Sequence, residues 1–228
     1  MNEWFHHPLF GIGLSVIAFS FAQQLQRKWS WLHPLFVCSG SIMIILLSFR
    51  IPFEAYKVGG DVITLFLGPA TVALGVPLYK NAGLIRKHMM PILSGITVGS
   101  LTGIASAAVI VGLLGGTKEI IYSMMPKSVS APIAVEISSH LGGIPELTVV
   151  MTVLTGLLGS MLGTTFLKWF GIKDDISIGI AIGTAAHGIG TARVIRDSEL
   201  QGGLSGFAMG AAGILTSLLF IPVYYWLQ

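Results

Sequence analysis

Pro126-Lys127-Ser128-Val129-Ser130-Ala131-Pro132 sets two prolines, two hydroxyls and a cation side by side in a very apolar chain, with Glu136 just beyond. Proline removes a backbone donor and clashes with the preceding turn, so helix cannot run smoothly through this stretch. The N–H groups freed at a helix start, together with an ammonium and hydroxyl donors, suit a compact anion such as a carboxylate. A second stretch carries His187, Gly188, Gly190, Thr191 and Arg193, and a third carries Gly68, Pro69, Thr71 and Pro77. If the three breaks converge, Thr71, Lys127, Ser128, Ser130, His187, Thr191 and Arg193 line one small polar pocket, which the breaks at Gly68, Pro69, Pro77, Pro126, Pro132, Gly188 and Gly190 position.

Each of these residues also has a plainer reading. Lys127 is either a substrate ligand or an interfacial residue whose ammonium snorkels to a headgroup. Arg193 has the same two readings, because it stands near the end of its apolar run. Glu136 is either a proton-linked carboxylate with a pKa raised by desolvation, or the partner of a cation. His187 is a site residue or a satisfied structural histidine. Asp61, beside Gly59-Gly60, caps a helix or couples an ion. Cys38 reads as a small core residue, and a single cysteine excludes an internal disulfide. His6-His7 has no third ligand nearby and reads as a solvated terminus, so no metal site is expected.

The elements that must hold these residues follow from composition. Hydrophobic residues make up 53% of the chain, charged residues only 10%, and mean hydropathy is +0.81; soluble domains carry about 25% charged residues. Met89 to Thr117, Leu147 to Leu167 and Leu200 to Gln228 contain no Asp, Glu, Lys or Arg, and each reaches the roughly 20 apolar residues that a bilayer requires. The chain therefore reads as an all-α polytopic membrane protein. Net charge of +3 is scattered over connecting segments, which argues against a nucleic-acid face. Gly188-Ile189-Gly190 is no nucleotide loop, since no strand precedes it and no third glycine follows. No nucleophile elbow, paired carboxylates or phosphate loop is present, so neither an enzyme nor a cofactor is expected.

About eight membrane segments emerge: Pro8–Gln26, Trp31–Phe49, Val62–Tyr79, Met90–Leu114, Thr117–Leu141, Leu147–Leu167, Ile176–Val194 and Gly203–Trp226, with Phe53–Asp61 as a connector. Residues 1–58 read as scaffold helices and 59–228 as a broken-helix core within one integral membrane domain. Gly95, Gly99 and Gly103, and again Gly159 and Gly163, recur every four residues and allow close helix contact. The segments near Gly68, Pro126 and Gly183 share one plan, an internal repeat of the kind that secondary transporters use. If every segment crosses, Arg27, Lys28, Lys80, Arg86, Lys87, Arg193 and Arg196 face one side, and Arg50, Lys57, Lys118, Lys168 and Lys173 the other. That weak asymmetry puts both termini outside. A re-entrant segment at 117–141 or 176–194 changes the parity of everything behind it.

Leu67 to Tyr79, Pro126 to Ala134 and Ala186 to Arg193 resemble, in the same order, the signature blocks of the LrgB/CidB family of bacterial membrane proteins, with Ser130-Ala131 where threonines are common. The resemblance runs from about Trp4 to the C-terminus. It implies a multi-pass protein of the bacterial cytoplasmic membrane, and two functions. Family members were named as holin/antiholin-like regulators of murein hydrolase activity and lysis, acting beside a small LrgA/CidA-type membrane partner. Related proteins are implicated in moving small carboxylates, pyruvate in bacilli and glycolate or glycerate in plastids. A lesion-forming holin gains nothing from a buried lysine, a buried arginine and broken helices, which are costly in lipid. The residues therefore favour a transporter or facilitator of small monocarboxylates, with the lysis role as the alternative. A homodimer or higher homo-oligomer is a further expectation.

Overall fold

The computed structural model describes residues 5, 7–29, 33–73 and 75–227, which are helix, turn and connecting segment without a strand among them. The helices are α1 (Pro8–Lys28), α2 (Pro34–Ser48), α3 (Phe53–Thr64), α4 (Leu67–Ala73), α5 (Gly75–Lys80), α6 (Ala82–Lys87), α7 (Met89–Leu113), α8 (Lys118–Met124), α9 (Ala131–Leu141), α10 (Pro145–Trp169), α11 (Asp175–Val194) and α12 (Glu199–Leu227). They divide into two compact units, Met1–Ala73 and Leu74–Gln228.

In the first unit, α1 and α2 start the same way. A histidine precedes a proline at the first helical position, and its Nδ1 accepts the N–H two residues on, His7 from Leu9 and His33 from Leu35, each at 3.3 Å. His7 is thus a helix cap, while His6 and Trp31 lie outside the described residues. Residues 53–61, expected as a connector, are helical in α3. Ala55 and Gly59 fall one turn apart on its buried face, and Glu54, Lys57 and Asp61 point outward, an amphipathic pattern that scattered charges concealed. A Cβ on Gly59 would stand 2.6 Å from the Gly11 Cα of α1. Ser15 Oγ and Tyr56 Oη meet at 2.9 Å across the same contact. Ala18, Ile42 and Leu46 form the core of the unit.

The second unit is built on three long rods, α7, α10 and α12. Their sequences are apolar around the whole circumference, and their outer faces expose Val98, Leu113, Leu162, Phe166, Ile214 and Leu218, as hydrocarbon contact allows. One end of this unit gathers the starts of α7 and α12 and the end of α10. Here Lys80 pairs with Glu199 at 2.6 Å. The opposite end gathers the end of α7 and the end of α12, where the His140 and Tyr224 rings lie 6.0 Å apart.

Between the rods, two segments double back. Along α8, Ile121 lies beside Gly112 of α7 and Ser128 beside Gly103, so the chain runs back down α7. After Ser130 it reverses as α9, and Ile144 N donates to Ser123 Oγ at 2.7 Å, back near the level at which it came in. Gly142, at φ +79°, stops α9 in the left-handed conformation that closes many helices. The second reversal lies inside α11, at His187 (φ 39°, ψ −137°). A straight helix would hold Asp175 and Val194 about 28 Å apart. Instead Ser198 Oγ donates to Asp175 Oδ2 at 3.0 Å and Gln201 Nε2 donates to Oδ1 at 2.7 Å. Ile178, Ile182, Ala186 and Val194, from both arms, pack into one cluster.

Among the described residues, five stretches are long and apolar enough to cross a bilayer: Pro8–Lys28, Phe53–Lys80, Met89–Leu113, Pro145–Trp169 and Glu199–Tyr225; Pro34–Ser48 is apolar but shorter. The other three expected segments are not among these five: α2 is only 15 residues long, 117–141 is divided between the short helices α8 and α9, and 176–194 folds back within α11.

Candidate functional site

The two hairpins come from opposite ends and meet halfway along the rods. Pro126 lacks an N–H and Pro132 stands in the first turn of α9, so residues 125–130 form only isolated turns. Lys127 N bonds the Met124 carbonyl at 3.3 Å and Val129 N the Pro126 carbonyl at 3.2 Å. Pro126 and Val129 are buried. Ser130 precedes α9 without a side-chain capping bond, which leaves the first N–H groups of that helix to another acceptor. The Lys127 ammonium is half-buried. It reaches Ser128 Oγ at a long 3.4 Å, and no carboxylate among the described residues lies within ion-pair distance of it.

At the second tip His187 holds a sparsely populated backbone conformation that costs about 1–3 kcal/mol, and its neighbours hold it there. Its Nε2 meets the Thr152 carbonyl at 3.0 Å; a carbonyl only accepts, so Nε2 carries the proton. Its own carbonyl takes the Thr191 hydroxyl at 2.8 Å, and Thr191 Oγ1 also meets Ser205 Oγ of α12 at 2.8 Å. Gly156 of α10 makes room for the ring: a Cβ there would stand 2.7 Å from His187 Cε1.

Where the tips meet lies a small cavity of about 10 Å³, lined by Met125, Pro126, Ser128 and Val129 of the first hairpin, Thr184 of the second, Ser100 and Ile104 of α7 and Thr216 of α12. Ser100 and Thr184 are 5% and 6% exposed, and neither hydroxyl has a hydrogen-bond partner among the described residues. On each side is a larger open groove. One, of about 670 Å³, runs from Tyr224 and His140 to Pro132. The other, of about 640 Å³, runs from His88 and Asp174 at the opposite end to Gly99 and Thr184.

The predicted residues thus separate. Lys127, Ser128 and Ser130 stand at the first tip, with Pro126 and Pro132 as its breaks. His187 is the second break itself, and Gly188 follows it. Gly190, a turn on, packs its backbone against Ile182, so that a Cβ on it would stand 2.7 Å from the Ile182 Cγ2. Thr191 is a buried staple. Arg193 lies at the α7-start end, paired with Asp197 at 2.6 Å, where it lines a polar recess with Lys168, Asp175 and Gln201. Glu136 is exposed on the first groove, 3.5 Å from His140. Asp61, Gly68 and Pro69 are exposed in the other unit, the Thr71 side chain lies outside the described residues, and Pro77 is buried in the first turn of α5. Sequence reasoning missed Ser100, Thr184 and Thr216. A hydroxyl in an apolar helix is ordinary until a cavity faces it. Ser100 flanked by Gly99 and Gly103 was the available hint.

Comparison with known proteins gives one consistent answer. A model of the LrgB-like family matches residues 15–226. "Uncharacterized protein YxaC" of Bacillus subtilis (strain 168) is 36% identical over 216 residues, 94% of each chain. An "Uncharacterized protein" of Haemophilus influenzae is 35% identical, covering 90% of each chain. "Antiholin-like protein LrgB" of Bacillus mycoides (strain KBAB4) is 33% identical over 220 residues, 95% of each chain. No solved structure matches.

Proposed function

The chain belongs to the LrgB-like family of membrane proteins, and from that premise we propose that it is a transporter or facilitator of small monocarboxylates. The observation that carries this reading is Lys127, a half-buried ammonium without a counter-charge among the described residues, halfway along the bundle and beside a small cavity flanked by two larger grooves. A cation left unpaired in a low-dielectric interior is costly. A carboxylate arriving at Lys127, Ser128 and the free N–H groups of α9 relieves that cost, and a small shift of either hairpin opens the site to one groove or the other. Such half-helix sites at the midplane are how many secondary transporters hold substrate.

The membrane arrangement we infer has eight segments. Six cross: α1, α2, α3 to α5, α7, α10 and α12. Two re-enter: 118–141 and 175–198. Each hairpin precedes a long rod, and the two hairpin–rod pairs run in opposite senses, which supports an inverted repeat. With both hairpins re-entrant, Lys80, Arg86, Lys87, Lys168, Lys173, Arg193 and Arg196 share one end of the second unit, against Lys118 at the other. That asymmetry supports a cytoplasmic location for the basic end, in a bacterial cytoplasmic membrane.

Uptake of labelled pyruvate or glycolate into proteoliposomes, with and without a small LrgA/CidA-type partner, tests the reading. Saturable flux supports it. Leakage of a large dye without saturable flux favours the second reading, a holin/antiholin-like regulator of lysis, which rests on the printed name of relatives such as that from Bacillus mycoides.

A further inference from the structure

We propose that the cavity between the hairpin tips binds one dehydrated alkali cation of about sodium's size. The proposal deepens the transport reading by naming a coupling ion, and it rests on that reading for the ion's role, though not for its binding.

The hydroxyls of α7 give the first argument. Ser94, Thr97, Thr102 and Ser106 all donate to a carbonyl of their own helix, at 2.9, 2.8, 2.7 and 3.2 Å, as such residues do in apolar surroundings. Ser100, on the same helix, does not, and Thr184 of α11 likewise has no partner. Both are more than nine-tenths buried and line the cavity. A buried hydroxyl without a partner is destabilising, so the cavity is unfavourable until something fills it.

Oxygen supply gives the second. Besides Ser100, Thr184, Thr216 and Ser128, the backbone at the first tip offers carbonyls. Those of Met125, Ser128 and Val129 accept no hydrogen bond from any described residue. Such a set holds more acceptors than the two protons of a water molecule satisfy. Hard cations prefer all-oxygen shells, and unwound carbonyls with helix-borne hydroxyls are how interrupted helices hold sodium. The volume, about 10 Å³, admits a single water-sized particle and no hydrated ion.

Charge gives the coupling. Lys127 stands 3.4 Å from Ser128 Oγ, a wall of the cavity, and its ammonium repels a second cation. A carboxylate bound to Lys127 cancels that repulsion, so each ligand strengthens the binding of the other.

The purified full chain in detergent, titrated with NaCl against choline chloride and KCl at constant ionic strength and without carboxylate, reads binding as a rise in Tm. A saturable rise with Na⁺ alone is expected, with the half-saturating concentration lowered when pyruvate is present. Thr184→Val and Ser100→Ala should each raise that concentration at least tenfold, and Thr184→Ser should restore it. Lys127→Met should keep the Na⁺ response and lose its dependence on pyruvate. Equal responses to Na⁺, K⁺ and choline, or a Na⁺ response unchanged in Thr184→Val, would mean that the cavity holds water only, and overturns the site. Carboxylate flux that persists without any Na⁺ response overturns the ion site and leaves the transport reading standing. A Na⁺ response without flux does the reverse.

Discussion

Ser198 Oγ donates to Asp175 Oδ2 at 3.0 Å, although Asp175 opens the second hairpin and Ser198 follows it. The bond closes the mouth of a segment that reads in the sequence as a membrane span. Residues in front of and behind this hairpin therefore lie at one end of the second unit, and the pairing of Ser123 with Ile144 does the same for the first hairpin, so each pair is expected on one side of a membrane.

Single-cysteine labelling checks that statement. In a Cys38→Ser background, Lys118→Cys and Glu146→Cys should react with an impermeant thiol reagent from one side of the membrane, and Lys173→Cys and Arg196→Cys from the other. Opposite labelling within either pair would mean that its hairpin crosses.

Lys127→Met should separate function from stability. Removing a half-buried ammonium with no carboxylate partner leaves Tm unchanged or raises it, because the desolvation cost disappears. Flux of a monocarboxylate should fall at least tenfold in the same variant. A matching loss of Tm and flux would make Lys127 a structural residue.

Arg193→Ala should do little. Its ion pair with Asp197 is about half exposed at the basic end, and such pairs contribute about 0–1 kcal/mol. Flux should stay near the wild-type value. A loss as deep as that of Lys127→Met would draw Arg193 into the binding site.

Gly156→Ala should be costly for so small a change, since the added methyl meets His187 Cε1 at 2.7 Å. Overpacking of this kind typically destabilises by about 1–3 kcal/mol, read as a lower Tm. Gly13, whose Cβ would meet nothing within 4 Å, is the control position, and Gly13→Ala should leave Tm nearly unchanged.

Asp174 caps α11 at the basic end, where its Oδ1 accepts the Ser177 N–H at 2.8 Å. That backbone hydrogen bond holds its carboxyl below the ordinary aspartate range. The folded pKa is the lower one, so the stabilisation is present above the unfolded value and is lost as pH falls through the folded value. Asp174→Ala should therefore lower stability by about 1 kcal/mol at neutral pH, with the gap to wild type closing in acid. A gap that persists at the lowest pH at which the protein stays folded would exclude the charged cap as its cause.

Much of this was legible along the chain, and the legible part is local. The apolar runs of 89–117, 147–167 and 200–228 dictate membrane rods by composition alone. Pro126 and Pro132 mark a break because a missing N–H acts on its own turn. Lys127 and Ser128 therefore stand out in the sequence as candidates, and the blocks around them carried the family. The rest depends on contacts between distant residues. Nothing near His187 requires the chain to reverse there. The reversal needs the Thr152 carbonyl, the space at Gly156 and the Asp175 carboxylate, which no periodicity links to it. Arg193 left the pocket for the same reason: once α11 folds back, its last turn returns to the end where it began. Ser100, Thr184 and Thr216 line one cavity only because three helices and a hairpin bring them together. Sequence determined which segments enter the membrane and where they break, through forces that act within a turn or a span. Tertiary packing alone decided which segments turn back and which oxygens meet.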